Sequence, residues 1–405
     1  MTVTTFLDRE VLKQTHGRCP VCHKSVQATV WLDPLPDSKL QRVMLTRTCP
    51  EHGETTNCIS SDARFYWLSK GDPANAGECC AGAASCDGVD GFLGSNAFSP
   101  KDEPLEKLST CLALIEIVDS CNLRCPTCYA DSPHGVGDGL VYTPIDQLKT
   151  RIQGAIDRKG GLEILQLSGG EPTLHPDFFE LLEWCVLHKG IDYVLINTNG
   201  VKLASGNEFT KRLKEVFAYG KTQLYLQFDG VQEAGQAALR GIDLRKTKEQ
   251  AIEAAGEINL PVTLAMTVTG VNAHHLWEAV RFGLEFKNVR GISFQPMFFS
   301  WRIHQGSPKL QDLMRSRLNT ADIILNLVGQ SSGNLKFEDF TPLPCGDPNC
   351  ATIGYLLKFG DTVKSVSDFV DFSEIQGFLK DRVRYSPEDL AKCGCESEPL
   401  GKLLH

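Results

Sequence analysis

The chain has 405 residues, of which 42% are hydrophobic and 22% charged, and its formal net charge at pH 7 is −9. This length exceeds a single ordinary core, so we expect a large central domain with smaller appendages. The acidic balance disfavours nucleic acid as a partner, and the lack of a signal-like N-terminus or a bilayer-spanning apolar stretch predicts a cytoplasmic protein without a transmembrane segment.

Sixteen cysteines are the unusual feature of the composition. In a reducing compartment a disulfide scaffold is not expected, so metal ligation or catalysis is the favoured explanation. All but Cys185 fall into groups along the chain. Cys185 lies in the helix-like “FFELLEWCVLHKG” and is expected to be a small core residue.

Residues 1–78 are predicted to form a small metal-binding domain. “CPVC” at 19–22 and “CPEHG” at 49–53 flank the strand-like “QATVWLD” and “RVMLTRT”, which indicates a hairpin between two metal-binding knuckles. The spacing is strong evidence for a metal but leaves zinc and a rubredoxin-like iron open. Cys58 is an alternative fourth ligand. The predicted ligand set is Cys19, Cys22, Cys49 and His52.

Residues 79–111 are predicted to be a loop-like linker that carries a second group of cysteines. Their spacing is irregular, and we interpret them as candidate ligands of an auxiliary [4Fe-4S] cluster. These residues are Cys79, Cys80, Cys86 and Cys111.

Between residues 112 and 310, short apolar runs alternate with amphipathic helical patterns. Near-continuous hydrophobicity is typical of strands buried on both faces, as in a parallel sheet. Such βα units give either a partial barrel or a doubly wound sheet, and in both the active site lies at the carboxyl ends of the strands. The strand candidates are 112–118, 162–168, 192–198, 223–228, 262–268 and 292–298.

Three local signals concern the helices between these strands. “TPIDQLKTRIQGAI” has Thr143 as its predicted N-cap and Pro144 at the first helical position. “NAHHLWEAVRFGLEF” opens in the same way on Asn272. The basic stretch “RGIDLRKTK” at 240–248 is interpreted as a solvated helix entrance.

The predicted strand ends carry the polar or Gly-rich stretches “SCNLRC”, “SGGEPT”, “NTNG”, “FDG” and “TGVN”. Within “CNLRCPTCYA”, Cys121, Cys125 and Cys128 follow the first strand directly. Three thiolates are one too few for a closed tetrahedral site. They form either a zinc knuckle with a distant fourth ligand or an iron–sulfur cube whose open iron can chelate a substrate or cofactor.

“CNLRCPTC”, followed by “SGGEPTL” and “NTNG”, resembles the radical S-adenosylmethionine (radical SAM) superfamily. The resemblance implies an α/β fold, a partial (β/α)6 barrel. It also implies that Cys121, Cys125 and Cys128 ligate a [4Fe-4S] cluster whose open iron is chelated by S-adenosylmethionine. One electron from the cluster then cleaves the sulfonium and yields a deoxyadenosyl radical.

The same resemblance implies which residues contact S-adenosylmethionine. A Gly–Gly pair lets backbone approach a ligand closely, and a carboxylate suits an ammonium group. The superfamily usually has an aromatic residue where this chain has Thr127, so Tyr129 is assigned to the adenine side instead. The implied contacts to the methionine amino group are Gly169, Gly170 and Glu171, with Glu171 accepting its hydrogen bond, and those to the ribose are Thr198 and Asn199.

Residues 311–405 are predicted to be a C-terminal extension with a further metal site, because “PLPCGDPNC” and “CGC” supply four more thiols. They form either a zinc clip that holds the tail or an auxiliary iron–sulfur cluster that carries electrons or touches substrate. These residues are Cys345, Cys350, Cys393 and Cys395.

The wider pattern of “CPVC…CPEHG”, the triplet, “FQP” and “DFTPLPCGDPNC” resembles one radical SAM subgroup. That subgroup contains the hydroxymethyl-dihydropterin methyltransferase of methanogens and the glycerol tetraether lipid synthase. The resemblance implies carbon–carbon bond formation at an unactivated carbon, by methylation of a pterin-like heterocycle or by coupling of lipid alkyl chains. The implied partners are a small-molecule or lipid substrate and a flavodoxin- or ferredoxin-type electron donor.

Substrate-side candidates at the strand ends are Gln227, Asp229 and Gln295, although each could equally be a hydrogen-bonded core residue. Phe298, Phe299 and Trp301 could begin an apolar groove for a lipid, stack on a pterin ring, or belong to the core. The alternative function is a cysteine-rich zinc or iron–sulfur protein that binds a ligand or senses redox state without radical catalysis. That alternative leaves “SGGEPTL”, “NTNG” and the βα alternation unexplained.

Overall fold

A computed structural model of the chain describes residues 10–34, 40–68, 112–298, 317–342, 352–360 and 362–369. These residues group into two compact units. The first unit takes the described residues of Met1–Lys107, Asn319–Val328 and Gly333–His405, and the second takes those of Leu108–Leu318 and Gly329–Ser332. The four-part division made from sequence stays a prediction.

The first unit contains a four-stranded antiparallel sheet in the order β1-β2-β3-β4. The predicted hairpin corresponds to β2 and β3, and the structure adds a strand on each side of it. The apolar side of this sheet packs with Tyr66 of the following helix. The elements are β1 (Val11–Arg18), β2 (Ser25–Pro34), β3 (Gln41–Cys49), β4 (Gly53–Ser60) and α1 (Ala63–Leu68).

The second unit is built on a six-stranded parallel sheet whose strands follow one another in chain order. A doubly wound sheet would reverse direction at a switch point, so the predicted partial (β/α)6 barrel is confirmed. All six predicted strands form, with ends shifted by at most a few residues. They are β5 (Leu112–Val118), β6 (Leu162–Gly169), β7 (Ile191–Thr198), β8 (Thr222–Gln227), β9 (Val262–Val268) and β10 (Val289–Pro296).

Helices lie between these strands and bury their apolar faces. Gly283, for example, lies against Leu264 and Ile292, close enough that an added Cβ would be 3.3 to 3.5 Å from their methyl groups. Cys185 is fully buried, as predicted. The helices are α2 (Ile145–Lys159), α3 (Phe178–Leu187), α4 (Val201–Ser205), α5 (Asn207–Phe217), α6 (Glu233–Arg240), α7 (Arg245–Glu257) and α8 (Leu276–Glu285).

Two predicted helix starts are wrong in detail. Helix α2 begins one residue later than expected, with Pro144 at the N-cap position and no side-chain cap. The carbonyl of Thr143 instead accepts a hydrogen bond from His175 Nε2 at 2.9 Å. Asn272 precedes a short 3₁₀ turn without capping it, because its Oδ1 accepts from the Thr269 N–H at 2.8 Å. In both places the predicted side-chain cap is therefore absent.

The C-terminal part of the chain adds one helix and two small strand pairs. In the first unit, Phe65 packs with Ala321 and Ile324, and Asn319 Nδ2 donates to Ser61 Oγ at 2.8 Å. In the described part of the chain, no helix is both long and apolar enough to cross a membrane. The remaining elements are α9 (Thr320–Gln330), β11 (Thr341–Pro342), β12 (Thr352–Ile353), β13 (Leu356–Phe359) and β14 (Thr362–Ser365).

Candidate active site and metal centre

The turns of the four-stranded sheet bring together the predicted N-terminal ligand set. The ligand atoms of Cys19, Cys22, Cys49 and His52 all lie within 4.8 Å of one another. The Nδ1 atom of His52 is 3.4 Å from the Cys49 sulfur and 3.7 Å from the Cys19 sulfur. Three thiols and one imidazole at these distances fit a tetrahedral zinc or iron ion. The first unit can therefore hold a metal.

Backbone donors favour the thiolate that such a site needs. The pKa of Cys19 is lowered to about 6, first by a backbone hydrogen bond from Cys22 and further by the N–H of Val21. The alternative ligand, Cys58, does not join the set. It lies within β4, and burial raises the pKa of its thiol, with a smaller contribution from the charge of Asp322. The structure thus brings His52, and not Cys58, to the three cysteines.

The catalytic-site candidates Cys121, Cys125 and Cys128 lie on the loop that follows β5. Cys121 and Cys125 are 9% and 8% exposed, and the N–H of Cys121 donates to the Pro133 carbonyl at 2.9 Å. Burial, and then the charges of Glu171 and the other two cysteines, raise the pKa of Cys121 to about 11. The three thiols are therefore near enough to interact electrostatically.

Their spacing bears on the zinc-knuckle alternative. Across the described ranges, the N-terminal set is the one group of three or more ligand atoms within 4.8 Å of one another. The thiols of Cys121, Cys125 and Cys128 do not form such a group in this structure. In a multinuclear cluster each thiolate would bind a different iron, so the three sulfur atoms need not surround one ion.

The Gly169–Gly170 turn packs directly on the cysteine loop. Gly169 has a φ of +124°, and a Cβ on Gly170 would lie 2.2 Å from the Ser120 carbonyl oxygen. The Gly170 N–H donates to the Val118 carbonyl at 2.8 Å, and the Glu171 N–H to that of Ser120 at 3.1 Å. The glycines are therefore required where two backbones meet. Their contact with the methionine amino group stays a prediction.

Glu171 is buried, only 1% exposed, and its carboxylate joins the loop after β6 to the end of β7. Its Oε1 accepts from the Thr173 Oγ1 and N–H at 2.6 and 3.2 Å and from Thr198 Oγ1 at 2.7 Å. Its Oε2 accepts from the Asn199 N–H at 2.7 Å. Both carboxylate oxygens thus have protein donors in this structure. The predicted hydrogen bond from the ammonium of S-adenosylmethionine would have to share these acceptors.

Asn199 connects the third strand end to the cysteine loop. Its Nδ2 donates to Asn122 Oδ1 at 2.7 Å and lies 3.9 Å from the Cys121 sulfur. Its carbonyl accepts from Lys248 Nζ at 2.5 Å. Tyr129, the predicted adenine contact, is 50% exposed. The predicted contacts of Thr198, Asn199 and Tyr129 with S-adenosylmethionine are not tested by this arrangement and stay predictions.

A buried charge network beneath the cysteine loop was not expected from sequence. Arg240 donates from Nε and Nη2 to the carboxylate of Asp229 at 2.5 and 2.9 Å, and Asp229 is fully buried. When the Gln227 amide is oriented with its oxygen toward Arg240, that oxygen accepts from Nη1 and Nη2 of Arg240 at 2.8 and 2.9 Å. The Cys125 thiol lies near enough to the Arg240 guanidinium for the two groups to interact electrostatically. Asp229 therefore supports Arg240 and is not accessible to a substrate.

The interpretation of 240–248 as a solvated helix entrance is wrong at both ends. Arg240 is 8% exposed and Lys248 is fully buried. Burial lowers the pKa of Lys248 to about 8, while the nearby charge of Asp229 acts in the opposite direction. A charge run looks the same in sequence whether its side chains reach solvent or turn inward. The signal available was that these cations follow “FDG”, at an end of the predicted sheet.

One face of the six-stranded sheet is polar, and we call it the inner face, since helices pack on the other. Tyr225 Oη donates to Ser293 Oγ at 2.8 Å and accepts from Gln295 Nε2 at 2.7 Å. Gln223 Nε2 donates to Thr263 Oγ1 at 2.6 Å. By strand register, the polar members of the inner face are Glu116, Gln166, Ser168, Tyr193, Asn197, Gln223, Tyr225, Gln227, Thr263, Thr267, Ser293 and Gln295.

Ten predicted residues lie outside the described part of the chain. Eight are cysteines assigned to auxiliary clusters, and two are aromatic residues assigned to a substrate groove. Phe298, the third aromatic residue, is described and is 77% exposed. The ten residues are Cys79, Cys80, Cys86, Cys111, Phe299, Trp301, Cys345, Cys350, Cys393 and Cys395.

Two family models match the chain. The model of the radical SAM superfamily matches residues 115–283, and that of the HMPTM N-terminal zinc ribbon domain matches residues 11–61. The first range contains the cysteine triplet, the Gly169–Gly170 turn and Asn199. The second contains the four clustered ligands of the N-terminal unit.

Similar proteins include the 7,8-dihydro-6-hydroxymethylpterin dimethyltransferase of Methanocaldococcus jannaschii, 28% identical over 91% of this chain and 72% of that relative. The GTP 3',8-cyclase of Listeria monocytogenes is 28% identical over 45% of this chain and 54% of that relative. This chain therefore spans about half the length of that cyclase. The solved structure described as “Native anSMEcpe with bound AdoMet” aligns with a TM-score of 0.41 at 21% identity, covering 54% of this chain and 60% of that one.

Proposed function

We propose that this chain, which carries a radical SAM domain over residues 115–283, methylates a pterin-like heterocycle at an unactivated carbon. The domain makes the protein a radical SAM enzyme, with a [4Fe-4S] cluster and S-adenosylmethionine as its cofactors. The pterin is proposed because a relative that aligns over 91% of the chain is named for acting on one.

The observation that carries the choice of substrate is the polar inner face. Amides, hydroxyls and one carboxylate line it from β5 to β10. Such groups match the ring nitrogens and oxygens of a heterocycle. An alkyl chain laid against them would remove polar groups from water without replacing their hydrogen bonds, which is unfavourable. We therefore favour a heterocycle over the lipid chains that the sequence left open.

The residues on the loop after β5 fit the proposed cofactors. Cys121, Cys125 and Cys128 would hold the cluster, and two of these thiols are nearly buried, which limits access of water. The Arg240 guanidinium, fixed by Asp229, lies near Cys125 and so places a positive charge beside a proposed cluster ligand. When bound, the cluster and S-adenosylmethionine supply the electron and the radical that removes a hydrogen atom from the substrate.

The N-terminal metal is proposed to be zinc with a structural role. Four protein ligands close the Cys19–Cys22–Cys49–His52 site, and closed sites of this type hold zinc without an open coordination position. The auxiliary clusters at the remaining cysteines, and a flavodoxin- or ferredoxin-type electron donor, stay part of the proposal as expected from sequence.

The proposed function is tested on full-length protein purified anaerobically and reconstituted with iron and sulfide. The protein is reduced with dithionite in the presence of S-adenosylmethionine and 6-hydroxymethyl-7,8-dihydropterin. We expect deoxyadenosine together with a pterin that has gained one or two methyl groups, both measured by mass spectrometry. Each methyl group would come from a second S-adenosylmethionine that leaves as S-adenosylhomocysteine, with dithionite supplying one electron for the cleavage and one for the methyl transfer. A C121A variant, assayed in parallel, should give neither product.

Two negative results would have different meanings. Without deoxyadenosine in the reconstituted wild-type protein, the radical reaction itself would be contradicted. Deoxyadenosine with an unchanged pterin, at a pterin concentration that saturates the enzyme, would contradict the pterin as the substrate. The proposed radical reaction would still stand.

A further inference from the structure

The inner face carries a single carboxylate. Glu116 lies on β5, where its Cα partner on β6 is Ser168, the residue before the Gly169–Gly170 turn. The other positions that strand register assigns to the inner face of β5 to β10 are apolar or neutral, and Arg290, in a register shift at the start of β10, is assigned to neither face. Glu116 is thus the one ionisable side chain that register places on this face.

Glu116 is exposed, which distinguishes it from the buried carboxylates Glu171 and Asp229. Glu171 is 1% exposed and Asp229 is fully buried, and both accept several hydrogen bonds from the protein. Among the described residues no donor contacts the Glu116 carboxylate. It therefore contributes nothing to holding the loops together, and both of its oxygens are available as acceptors.

We propose that Glu116 recognises the substrate by accepting two parallel N–H hydrogen bonds from an aminopyrimidine edge. This inference rests on the proposed function and identifies the part of the heterocycle that the protein recognises. A carboxylate has two oxygens in one plane and binds best to two donors held side by side. In a pterin, the 2-amino group and the adjacent ring N–H form such a pair.

The position of Glu116 suits this role. It is on the same strand that leads into Cys121, so a ring bound at Glu116 would lie next to the loop that carries the predicted cluster ligands. The neighbouring inner-face groups, among them half-buried Asn197 and Tyr225, are uncharged. They can complete the hydrogen bonds of a neutral ring without competing for the carboxylate.

The test compares two ligands on the wild-type protein and three variants. The ligands are 6-hydroxymethyl-7,8-dihydropterin and its 2-oxo analogue, the corresponding dihydrolumazine, in which a carbonyl replaces the 2-amino group. Wild-type protein, reconstituted and kept anaerobic, should bind the pterin roughly ten- to a hundredfold more tightly, because the 2-oxo group repels the carboxylate. Affinities are measured by equilibrium dialysis in the presence of S-adenosylmethionine.

In the E116Q variant this preference should be reversed. The glutamine amide can donate to the 2-oxo group and accept from the ring N–H, but it cannot accept from two donors. The E116D variant keeps a carboxylate and should keep the wild-type order of affinities. The matched control is E163Q, the same substitution on the opposite face of the neighbouring strand β6, which should leave both affinities unchanged.

The outcomes separate the inference from the function on which it rests. If wild-type protein prefers the pterin and E116Q keeps the same preference, Glu116 does not recognise the aminopyrimidine edge and the inference is overturned. The proposed function then still stands. If wild-type protein binds neither ligand, the proposed substrate fails and the inference fails with it. Deoxyadenosine formation by the wild-type protein without a pterin tests the radical step independently of both.

Discussion

Arg240 and Asp229 form an ion pair that is almost entirely removed from solvent, with side chains 8% and 0% exposed. Burying two charges is costly, and the pair offsets that cost only while both partners are present. The Arg240 guanidinium also lies near Cys125, so the pair connects the interior of the barrel to a predicted cluster ligand. Removing either partner should therefore affect both folding and the cluster.

Either single substitution, D229N or R240Q, should lower the free energy of unfolding by about 3–5 kcal/mol. The D229N/R240Q double variant should be less destabilised than the sum of the two by at least about 0.5 kcal/mol, because it leaves no unpaired charge. Urea unfolding measures all three variants. The exposed pair Asp243–Arg245 provides the control, and D243N should have no measurable effect. Strict additivity of the two buried substitutions would contradict the coupling.

Glu171 shows what residue-level inference from sequence can and cannot reach. The motif around it was recognisable, and the structure places Glu171, Thr198 and Asn199 together as the motif implied. The four protein donors around the carboxylate were not foreseeable, because they come from two separate loops. Arg240 and Lys248 were missed for the same reason: their burial depends on which helix packs beneath which strand end.

At the level of elements, the strands of the barrel were predictable because each has an apolar face that helices cover. The expectation that both faces are buried was wrong, since the inner face is polar and most of β5 and β10 is exposed or half-buried. Strands β1 and β4 were missed, since “VLKQTHGR” and “GETTNCIS” are mostly exposed or half-buried and carry no long apolar run. The predicted caps at Thr143 and Asn272 failed because α2 begins after Pro144 and because the Asn272 Oδ1 accepts from the Thr269 N–H instead. Local propensity thus gave the element types but not all of their ends.

The contact between the turn after β6 and the cysteine loop should not tolerate a methyl group. In G170A the new Cβ would lie 2.2 Å from the Ser120 carbonyl oxygen, so one backbone must move. We expect a loss of about 1–3 kcal/mol in the free energy of unfolding and reduced iron content after reconstitution. In the control G154A, within α2, the nearest atom is a mobile Arg158 nitrogen at 3.3 Å, and stability should be unchanged or rise by up to about 1 kcal/mol. Equal effects of the two substitutions would contradict this account.

Helix α7 is joined to the end of β7 by Lys248, and this connection should depend on pH. Burial lowers the Lys248 pKa from 10.5 to about 8 in the folded protein. Between these values the unfolded chain binds more protons than the folded one, so the free energy of unfolding gains a contribution that rises with pH. The difference between wild type and K248M should therefore grow from pH 8 to pH 10.5 in favour of wild type. Parallel pH curves for the two proteins would show that Lys248 does not titrate in this range.

At the level of the whole molecule, the two units depend on different sources of stability. The second unit has an extensive apolar core, whereas the first has a small sheet with a four-ligand metal site at its turns. Small domains with such sites derive much of their folding free energy from the metal. The division of the chain into these units was predictable only in part, because Asn319–Val328 joins the N-terminal sheet from far along the sequence.

Removal of the N-terminal metal should unfold the first unit selectively. Treatment with a zinc chelator should abolish hydrogen-exchange protection in β1 to β4 and leave that of β5 to β10 largely intact. The C19S/C49S variant should behave in the same way without a chelator. Mass spectrometry of peptides from the two sheets makes the comparison within one sample. Loss of protection in both sheets together would contradict separate stabilisation.

The parallel sheet has its strands in the same spatial order as in the chain. Each βα unit can therefore dock on the one made just before it, which favours stepwise folding in chain order, with each pairing slowed by the helix that separates the two parallel strands. During synthesis the loop with Cys121 emerges first, and Glu171, Asn199 and Arg240, which later surround it, emerge in that order. The thiols thus remain accessible from the time they leave the ribosome until β7 and β8 have been added to the sheet. The order of translation itself leaves a period in which iron and sulfide can reach them.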